Sequence, residues 1–149
     1  MRAFVDTNIL VYALDRSAGA RHERAASLVE ELVSSGGLVV STQVLNELAR
    51  VLLKRGAGTR DEVADVIGGL GESAVCLPLT PDLTDTALRL GMAGGLSFWD
   101  ALIWAAARAA GVDRVFTEDF QHGRDIGGVL FVNPFLPGDP AGNRTDAGA

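Results

Sequence analysis

Short apolar runs alternate with longer segments of helical periodicity along almost the whole chain. Each run is bounded by residues that are typical of turns and helix caps, and so is predicted to be a buried strand. The predicted strands are residues 3–5, 38–40, 74–77, 114–116 and 129–132. Because strands that alternate with helices pair in parallel, we expect an α/β fold with a central, mostly parallel five-stranded sheet and helices on both faces.

Periodicity and capping signals predict helices at residues 8–14, 20–35, 42–52, 60 to about 70, 81–90 and 98–110. Thr59 and Glu62 have the spacing of a capping box, and the glycines at positions 68, 69 and 71 are expected to end that helix. The helix at 98–110 is apolar on almost every side, so it lies either in the centre of the fold or in an oligomer interface.

The chain has 149 residues, of which 48% are hydrophobic, which is enough for one buried core. We expect one domain over residues 1–136 and a flexible tail over 137–149, which is rich in proline, glycine and short polar residues. No apolar run approaches the roughly 18–20 residues of a membrane helix. The first residues do not read as a signal peptide, and Cys76 is the single cysteine, so a cytoplasmic location without disulfides is expected.

The formal net charge of −6 argues against a protein that coats nucleic acid through many phosphate contacts. It does not exclude a nuclease, because carboxylates that hold a divalent cation do not repel a phosphate once the cation is bound. The function classes that remain are therefore those in which acidic side chains are part of a site.

Four acidic residues fall where a strand passes into the next helix: Asp6, Glu47, Asp100 and Asp119. The carboxyl ends of parallel strands share one edge of a sheet, so we expect these side chains to converge there. No adequate set of basic residues lies near them in sequence, and clustered carboxylates repel one another. A hard divalent cation such as Mg²⁺ or Mn²⁺ would relieve that repulsion.

Each acid also has a structural explanation. Asp100 has the spacing of a capping-box partner for Ser97, and Asp6 has the position of an N-cap. Glu47 could form an ordinary surface pair with Arg50, and Asp119 could cap a loop. Metal binding explains the four positions together, whereas capping needs a separate reason for each.

Several short motifs in this order resemble the PIN-domain ribonucleases, and the short length and the ending resemble the VapC toxins of type II toxin–antitoxin systems. The resemblance covers residues 2 to 136. The motifs are Asp6-Thr7-Asn8, Asn46-Glu47, Ser97-Phe98-Trp99-Asp100-Ala101-Leu102-Ile103, Thr117-Glu118-Asp119-Phe120 and Asn133-Pro134-Phe135.

The resemblance implies a PIN-like fold and an endoribonuclease that hydrolyses RNA with one or two Mg²⁺ or Mn²⁺ ions, leaving a 5′-phosphate and a 3′-hydroxyl. Asp6 and Asp100 would be the main metal ligands, and Asp119 a further or water-bridged ligand. Glu47 would orient the metal-bound water or act as a base. The residues that would orient these acids or contact the phosphate are Thr7, Asn8, Ser97 and Thr117.

The resemblance also implies three partners, namely RNA, a cognate antitoxin and a second copy of the chain. Arg50, Lys54 and Arg55 form part of the only basic concentration in the sequence. Arg50 and Lys54 are one helical turn apart, so this concentration is either a contact for RNA or antitoxin or simply a solvated helix face.

Other classes of protein that gather acids beyond a parallel sheet fit less well. A Mg²⁺-binding phospho-receiver needs an acceptor aspartate after the third strand, where this chain has Pro78, and a lysine after the last strand, whereas Lys54 lies in a helix. A haloacid-dehalogenase-type phosphatase needs Asp-x-Asp after the first strand, where this chain has Asn8 in place of the second aspartate. A non-catalytic PIN-like interaction protein is the third alternative, and the four intact acids argue against it.

Overall fold

The computed structural model describes residues 1–138 and contains one six-stranded sheet. The strands are β1 Ala3–Val5, β2 Leu38–Ser41, β3 Val75–Leu77, β4 Arg114–Phe116, β5 Asp125–Ile126 and β6 Val129–Val132. Their order across the sheet is β3-β2-β1-β4-β6-β5, and every pair is parallel except β5 with β6. The predicted α/β class is therefore confirmed.

The predicted number of five strands was one too low. The missed strand, β5, has two residues and forms a hairpin with β6, and two residues are too few to show a periodicity. Gly127 and Gly128 turn this hairpin with positive φ angles, and the Gly128 N–H donates a hydrogen bond of 2.9 Å to Asp125 Oδ1.

The six α-helices of the described chain are α1 Thr7–Leu14, α2 Ala20–Ser34, α3 Thr42–Arg55, α4 Arg60–Ser73, α5 Pro81–Thr86 and α6 Phe98–Ala109. A 3₁₀ turn at Arg16–Ala18 follows α1, and a π-helical turn at Ala87–Gly91 follows α5. The capping box of Thr59 and Glu62 is present at the start of α4. Glycines at 68, 69 and 71 do not end α4 as expected, because glycine without a positive φ only weakens a helix and the helix continues to Ser73.

Helix α6 lies in the centre of the fold, since residues 101–107 are all buried within the monomer. Trp104 is 1% exposed and its indole N–H donates a hydrogen bond of 2.8 Å to the Ile126 carbonyl. Gly91 permits this close packing, because a Cβ there would lie 2.7 Å from the Cβ of Ala101. The apolar character of α6 is thus explained by the core, and it gives no support to an interface on this helix.

The sheet is covered on both faces, because every residue of β1, β2 and β6 is buried while successive strand residues point to opposite faces. Among residues 1–138, no helix is both long enough and apolar enough to cross a membrane. The predicted boundary at residue 136 stays a prediction, since residues 139–149 of the expected tail lie outside the described part of the chain.

The strand order positions the site. Strand β1 lies in the middle of the sheet between β2 and β4, and all three run in the same direction. The residues that directly follow these strands therefore lie at the same edge of the sheet. They are Asp6 after β1, Thr42 after β2 and Thr117 after β4. Hydrogen bonds extend the sheet at this edge, since the Asp6 N–H donates to the Phe116 carbonyl and the Thr117 N–H to the Val132 carbonyl, each at 3.0 Å.

Candidate active site

Asp6 is the most buried of the predicted acids, with 5% of its surface exposed. It ends β1 and caps α1, so its Oδ1 accepts a hydrogen bond of 2.7 Å from the Thr7 N–H. Its Oδ2 accepts a second, of 2.8 Å, from the Thr117 hydroxyl. Burial nevertheless raises the pKa of Asp6 to about 6, and the charges of Asp119 and Glu47 contribute in the same direction.

Thr117 and Asn8 connect Asp6 to Asp119. The Asn8 amide donates a hydrogen bond of 2.9 Å to Asp119 Oδ2 and lies 3.4 Å from the Thr117 hydroxyl. The Thr117 hydroxyl also accepts from the Asp119 N–H at 3.2 Å, while it donates to Asp6. Thr117 is 1% exposed, so the Asp6 end of this network is buried, whereas Asp119 at its other end is exposed. Two predicted acids and two predicted supporting residues are thus brought together.

Glu47 joins the same site from α3. It lies in the second turn of that helix, and its Oε2 accepts a hydrogen bond of 2.9 Å from the Thr7 hydroxyl. Its Oε1 lies 3.5 Å from the side-chain nitrogen of Gln43, one turn earlier. The alternative in which Glu47 pairs with Arg50 is not seen, since no ion pair joins them within residues 1–138.

Asp100 is placed differently from the other three acids. It is half-buried in the first turn of α6, but it does not line the cleft that they share. Ser97 occupies the N-cap position of α6 without making a side-chain capping bond, so the capping box with Asp100 is not formed. The first turn of α6 is nevertheless fastened to α3, because the Gln43 side-chain N–H donates to the Trp99 carbonyl at 3.2 Å.

A cleft of about 340 Å³ opens at this edge. The residues that line it are Asp6, Thr7, Asn8, Val11, Tyr12, Asp15, Glu47, Val51, Arg55, Glu118 and Asp119. Five carboxyl groups thus line the cleft, and Asp100 is not one of them. The one basic group among the lining residues is Arg55. The cleft is strongly electronegative.

The donor set fits a hard divalent cation by its chemistry. The predicted ligands are all carboxylates, and Asn8 adds a buried Oδ1 that has no hydrogen-bond partner among residues 1–138. Within residues 1–138, however, no group of three or more Asp, Glu, His or Cys side chains has the geometry of a metal site. The carboxylates instead accept hydrogen bonds from Thr7, Thr117 and Asn8.

The three basic residues predicted on α3 are divided between two faces of the helix. Arg55 lines the cleft together with Glu47 and Val51, which precede it by two turns and one turn. Its Nη1 lies 3.6 Å from Asp15 Oδ2. Arg50 and Lys54 are exposed and do not line the cleft, so the pair that shares a face is the one farther from the carboxylates.

Sequence reasoning missed two features of the site. Glu118, to which no role was given, accepts a hydrogen bond of 2.9 Å from the Tyr12 hydroxyl and pairs with Arg21. This hydrogen bond raises the pKa of Tyr12. Gln43 was also missed, and the signal for it was its position one helical turn before Glu47.

The PIN-domain family model matches residues 3–124, most of the chain. The chain therefore belongs to the PIN-domain family, and the predicted PIN-like fold is confirmed. Solved structures with a similar fold include toxins and toxin–antitoxin complexes. The VapC20 toxin of Mycobacterium tuberculosis, described as cleaving the sarcin–ricin loop, is 27% identical, with a TM-score of 0.60 over 78% of this chain and 89% of that one.

Two more distant structures show the same fold. A toxin–antitoxin complex from Klebsiella pneumoniae is 20% identical with a TM-score of 0.66, over 89% of this chain and 98% of that one. VapBC2 of Rickettsia felis, bound to a DNA fragment from its promoter, is 18% identical with a TM-score of 0.62, over 88% and 97%. No curated protein matches the chain significantly.

Proposed function

We propose that this protein is a metal-dependent endoribonuclease and the toxin of a type II toxin–antitoxin system, acting in the cytoplasm. The observation that carries the proposal is the convergence of Asp6, Glu47 and Asp119 on one cleft at the carboxyl edge of the sheet. The raised pKa of Asp6 supports it, because a buried carboxyl beside two like charges is a site built for a cation.

The chain's own residues would divide the work as follows. Asp6 and Asp100 would hold Mg²⁺ or Mn²⁺, with Asp119 as a further ligand, and Glu47 would orient the attacking water or accept its proton. When bound, the divalent ion supplies charge that lowers the pKa of water and polarises the phosphate. Thr7, Asn8, Ser97 and Thr117 would orient carboxylates or contact the phosphate; those other than Ser97 already bond to the acids.

The position of Arg55 supports a role in binding the RNA backbone. Its guanidinium lines the same cleft as Asp6, so it could contact a phosphate of a bound RNA, and its ion-pair partner within residues 1–138 is the half-buried Asp15. Arg50 and Lys54 would extend this contact outside the cleft or meet an antitoxin.

An antitoxin partner is supported by a surface that is continuous with the cleft. An apolar groove of about 240 Å³ between α1, α2 and α4 exposes Leu14, Val33 and Val66. A neighbouring depression shares Leu14 with this groove and shares Asp15 and Arg55 with the acidic cleft. A segment with an apolar helix followed by a basic residue would match both surfaces in turn. The proposal of a homodimer rests only on the family resemblance.

The test is RNA cleavage by purified protein with Mg²⁺ or Mn²⁺ and with EDTA, for the wild type and for Asp6→Asn and Asp100→Asn. Asp113→Asn is the matched control, because Asp113 is exposed and precedes β4, at the opposite edge of the sheet. We expect cleavage that EDTA stops, loss of cleavage in both site variants, and full activity in the control.

The outcomes also separate the alternatives. Undiminished cleavage by either site variant would contradict the metal mechanism. RNA binding without cleavage would favour the non-catalytic interaction protein. Phosphotransfer from a small phosphodonor would favour the phospho-receiver, which the structure does not support because Lys54 is exposed on α3 and away from the cleft.

A further inference from the structure

Hydrogen bonds connect three of the four predicted acids and do not include the fourth. Asp6 and Asp119 are connected through Thr117 and Asn8, and Glu47 is connected to Asp6 through Thr7. No hydrogen bond connects Asp100 to this network within residues 1–138. Its position relative to Glu47 is therefore set by how the first turns of α3 and α6 are fastened together.

Gln43 makes that connection. It lies in the first turn of α3 and is 4% exposed, and its side-chain nitrogen reaches both the Trp99 carbonyl at 3.2 Å and Glu47 Oε1 at 3.5 Å. Both partners are acceptors, so an amide turned the other way would place oxygen against oxygen, and the orientation is determined. Trp99 directly precedes Asp100 in the chain.

The same amide is not optimised for stability. Its Oε1 is buried and has no hydrogen-bond partner in the described chain. An unpaired buried acceptor destabilises a fold, so an apolar side chain of similar volume would serve the packing at least as well. The donor function of Gln43 is what an apolar replacement cannot supply.

We propose that Gln43 is a positioning residue that sets the distance between Glu47 and the first turn of α6, which carries Asp100. The role rests on the proposed function, since it matters only if these two carboxylates act on one ion. In this role Gln43 acts through the two elements that it joins, not through contact with substrate or ion.

The experiment compares Gln43→Met with the wild type. Methionine keeps the length of the side chain and removes both donated hydrogen bonds. Ser41→Ala is the matched control, because Ser41 is 0% exposed at the start of the same helix, and its hydroxyl has no hydrogen-bond partner, acidic or other, in the described part of the chain. The readouts are Mn²⁺ affinity by calorimetry, kcat and KM for RNA cleavage, and thermal unfolding in EDTA.

We expect Gln43→Met to weaken Mn²⁺ binding and to lower kcat by roughly 10- to 100-fold each, with KM for RNA nearly unchanged. The unfolding temperature in EDTA should stay close to that of the wild type, and Ser41→Ala should match the wild type in Mn²⁺ affinity, kcat and KM. If Gln43→Met does not fold, Gln43→Asn replaces it in the experiment. The asparagine side chain keeps the amide but is too short to reach both partners, so we expect the same losses.

Near-wild-type Mn²⁺ affinity and kcat in a folded Gln43 variant would overturn the positioning role and leave the proposed function standing. A wild type that binds no Mn²⁺ and cleaves no RNA would overturn the proposed function, and the role of Gln43 with it.

Discussion

The burial of Asp6 makes the stability of the metal-free protein depend on pH in a predictable way. The pKa of Asp6 is about 6 in the folded chain, against an ordinary value of 3.8. Because the folded-state pKa is the higher one, folding favours the protonated carboxyl. Its stabilising contribution is fully present below about pH 4 and is lost as the pH rises through about 6. At one pKa unit per 1.4 kcal/mol, ionised Asp6 lowers the free energy of unfolding by about 3 kcal/mol at neutral pH.

Asp6→Asn removes this penalty but also loses an acceptor. The carboxylate accepts from the Thr7 N–H and from the Thr117 hydroxyl, whereas an asparagine has one carbonyl oxygen for the two donors. The unpaired donor costs about 1–2 kcal/mol. We therefore expect Asp6→Asn to be less stable than the wild type by about that amount at acid pH, and more stable by about 1–2 kcal/mol at neutral pH.

The measurement is urea unfolding in EDTA at several pH values from about 4.5 to about 7.5, with Asp113→Asn as the control. Other carboxylates titrate in both proteins, so the difference between wild type and variant isolates Asp6. Saturating Mn²⁺ should stabilise the wild type and Asp113→Asn but not Asp6→Asn, and should therefore reverse the ranking of wild type and Asp6→Asn at neutral pH. A difference between Asp6→Asn and wild type that stays constant across this range would refute the reasoning, because it would mean that Asp6 has an ordinary pKa.

Two further predictions concern the surroundings of the site. Tyr12 is the single tyrosine, so an ultraviolet pH titration reports its pKa directly. We expect the titration midpoint of the wild type to lie above the ordinary tyrosine value and the midpoint of Glu118→Gln to be lower than that of the wild type. An ordinary midpoint in the wild type would contradict the hydrogen bond. Gly91→Ala should lower the free energy of unfolding by about 1–3 kcal/mol, because its Cβ would meet Ala101 at 2.7 Å. Gly68→Ala, in open space on α4, should raise it by about 0.5–1 kcal/mol, and equal effects of the two alanines in urea unfolding would contradict the packing argument.

The parts of this site that depend on local sequence and strand order could be predicted. Asp6 and Asp119 follow parallel strands, and the carboxyl ends of such strands meet at one edge whatever the details of packing. The position of Glu47 could be predicted from helical periodicity. It lies on the face of α3 that reaches the same edge, two turns before Arg55.

The features that depend on how separate elements dock could not be predicted. Asp100 begins a helix at the expected place in the chain, but its position relative to the other acids depends on how α6 docks against α3, where Gln43 bonds to the Trp99 carbonyl. Gln43 and Tyr12 act through partners 56 and 106 residues away, and no spacing rule connects such positions. The predicted end of α4 near Gly68 was wrong because it relied on local sequence alone. Glycine has a low helix propensity, but the rest of α4 overrides it and the helix continues to Ser73.

The electrostatics of the cleft follow from the kind of donor that holds each acid. Ion pairs between described residues include Arg21 with Glu118, Arg55 with Asp15, and Arg89 with Asp85. Asp6, Glu47 and Asp119 are held instead by the hydroxyls of two threonines and an asparagine amide. A neutral donor orients a carboxylate without cancelling its charge, whereas an arginine would do both. Burial raises the pKa of Asp6, and the uncancelled charges of Asp119 and Glu47 add to that rise. The same uncancelled charge fits a divalent ion. A basic side chain of a partner would compete for the same place, so a single arrangement accounts for both the proposed catalysis and its proposed inhibition.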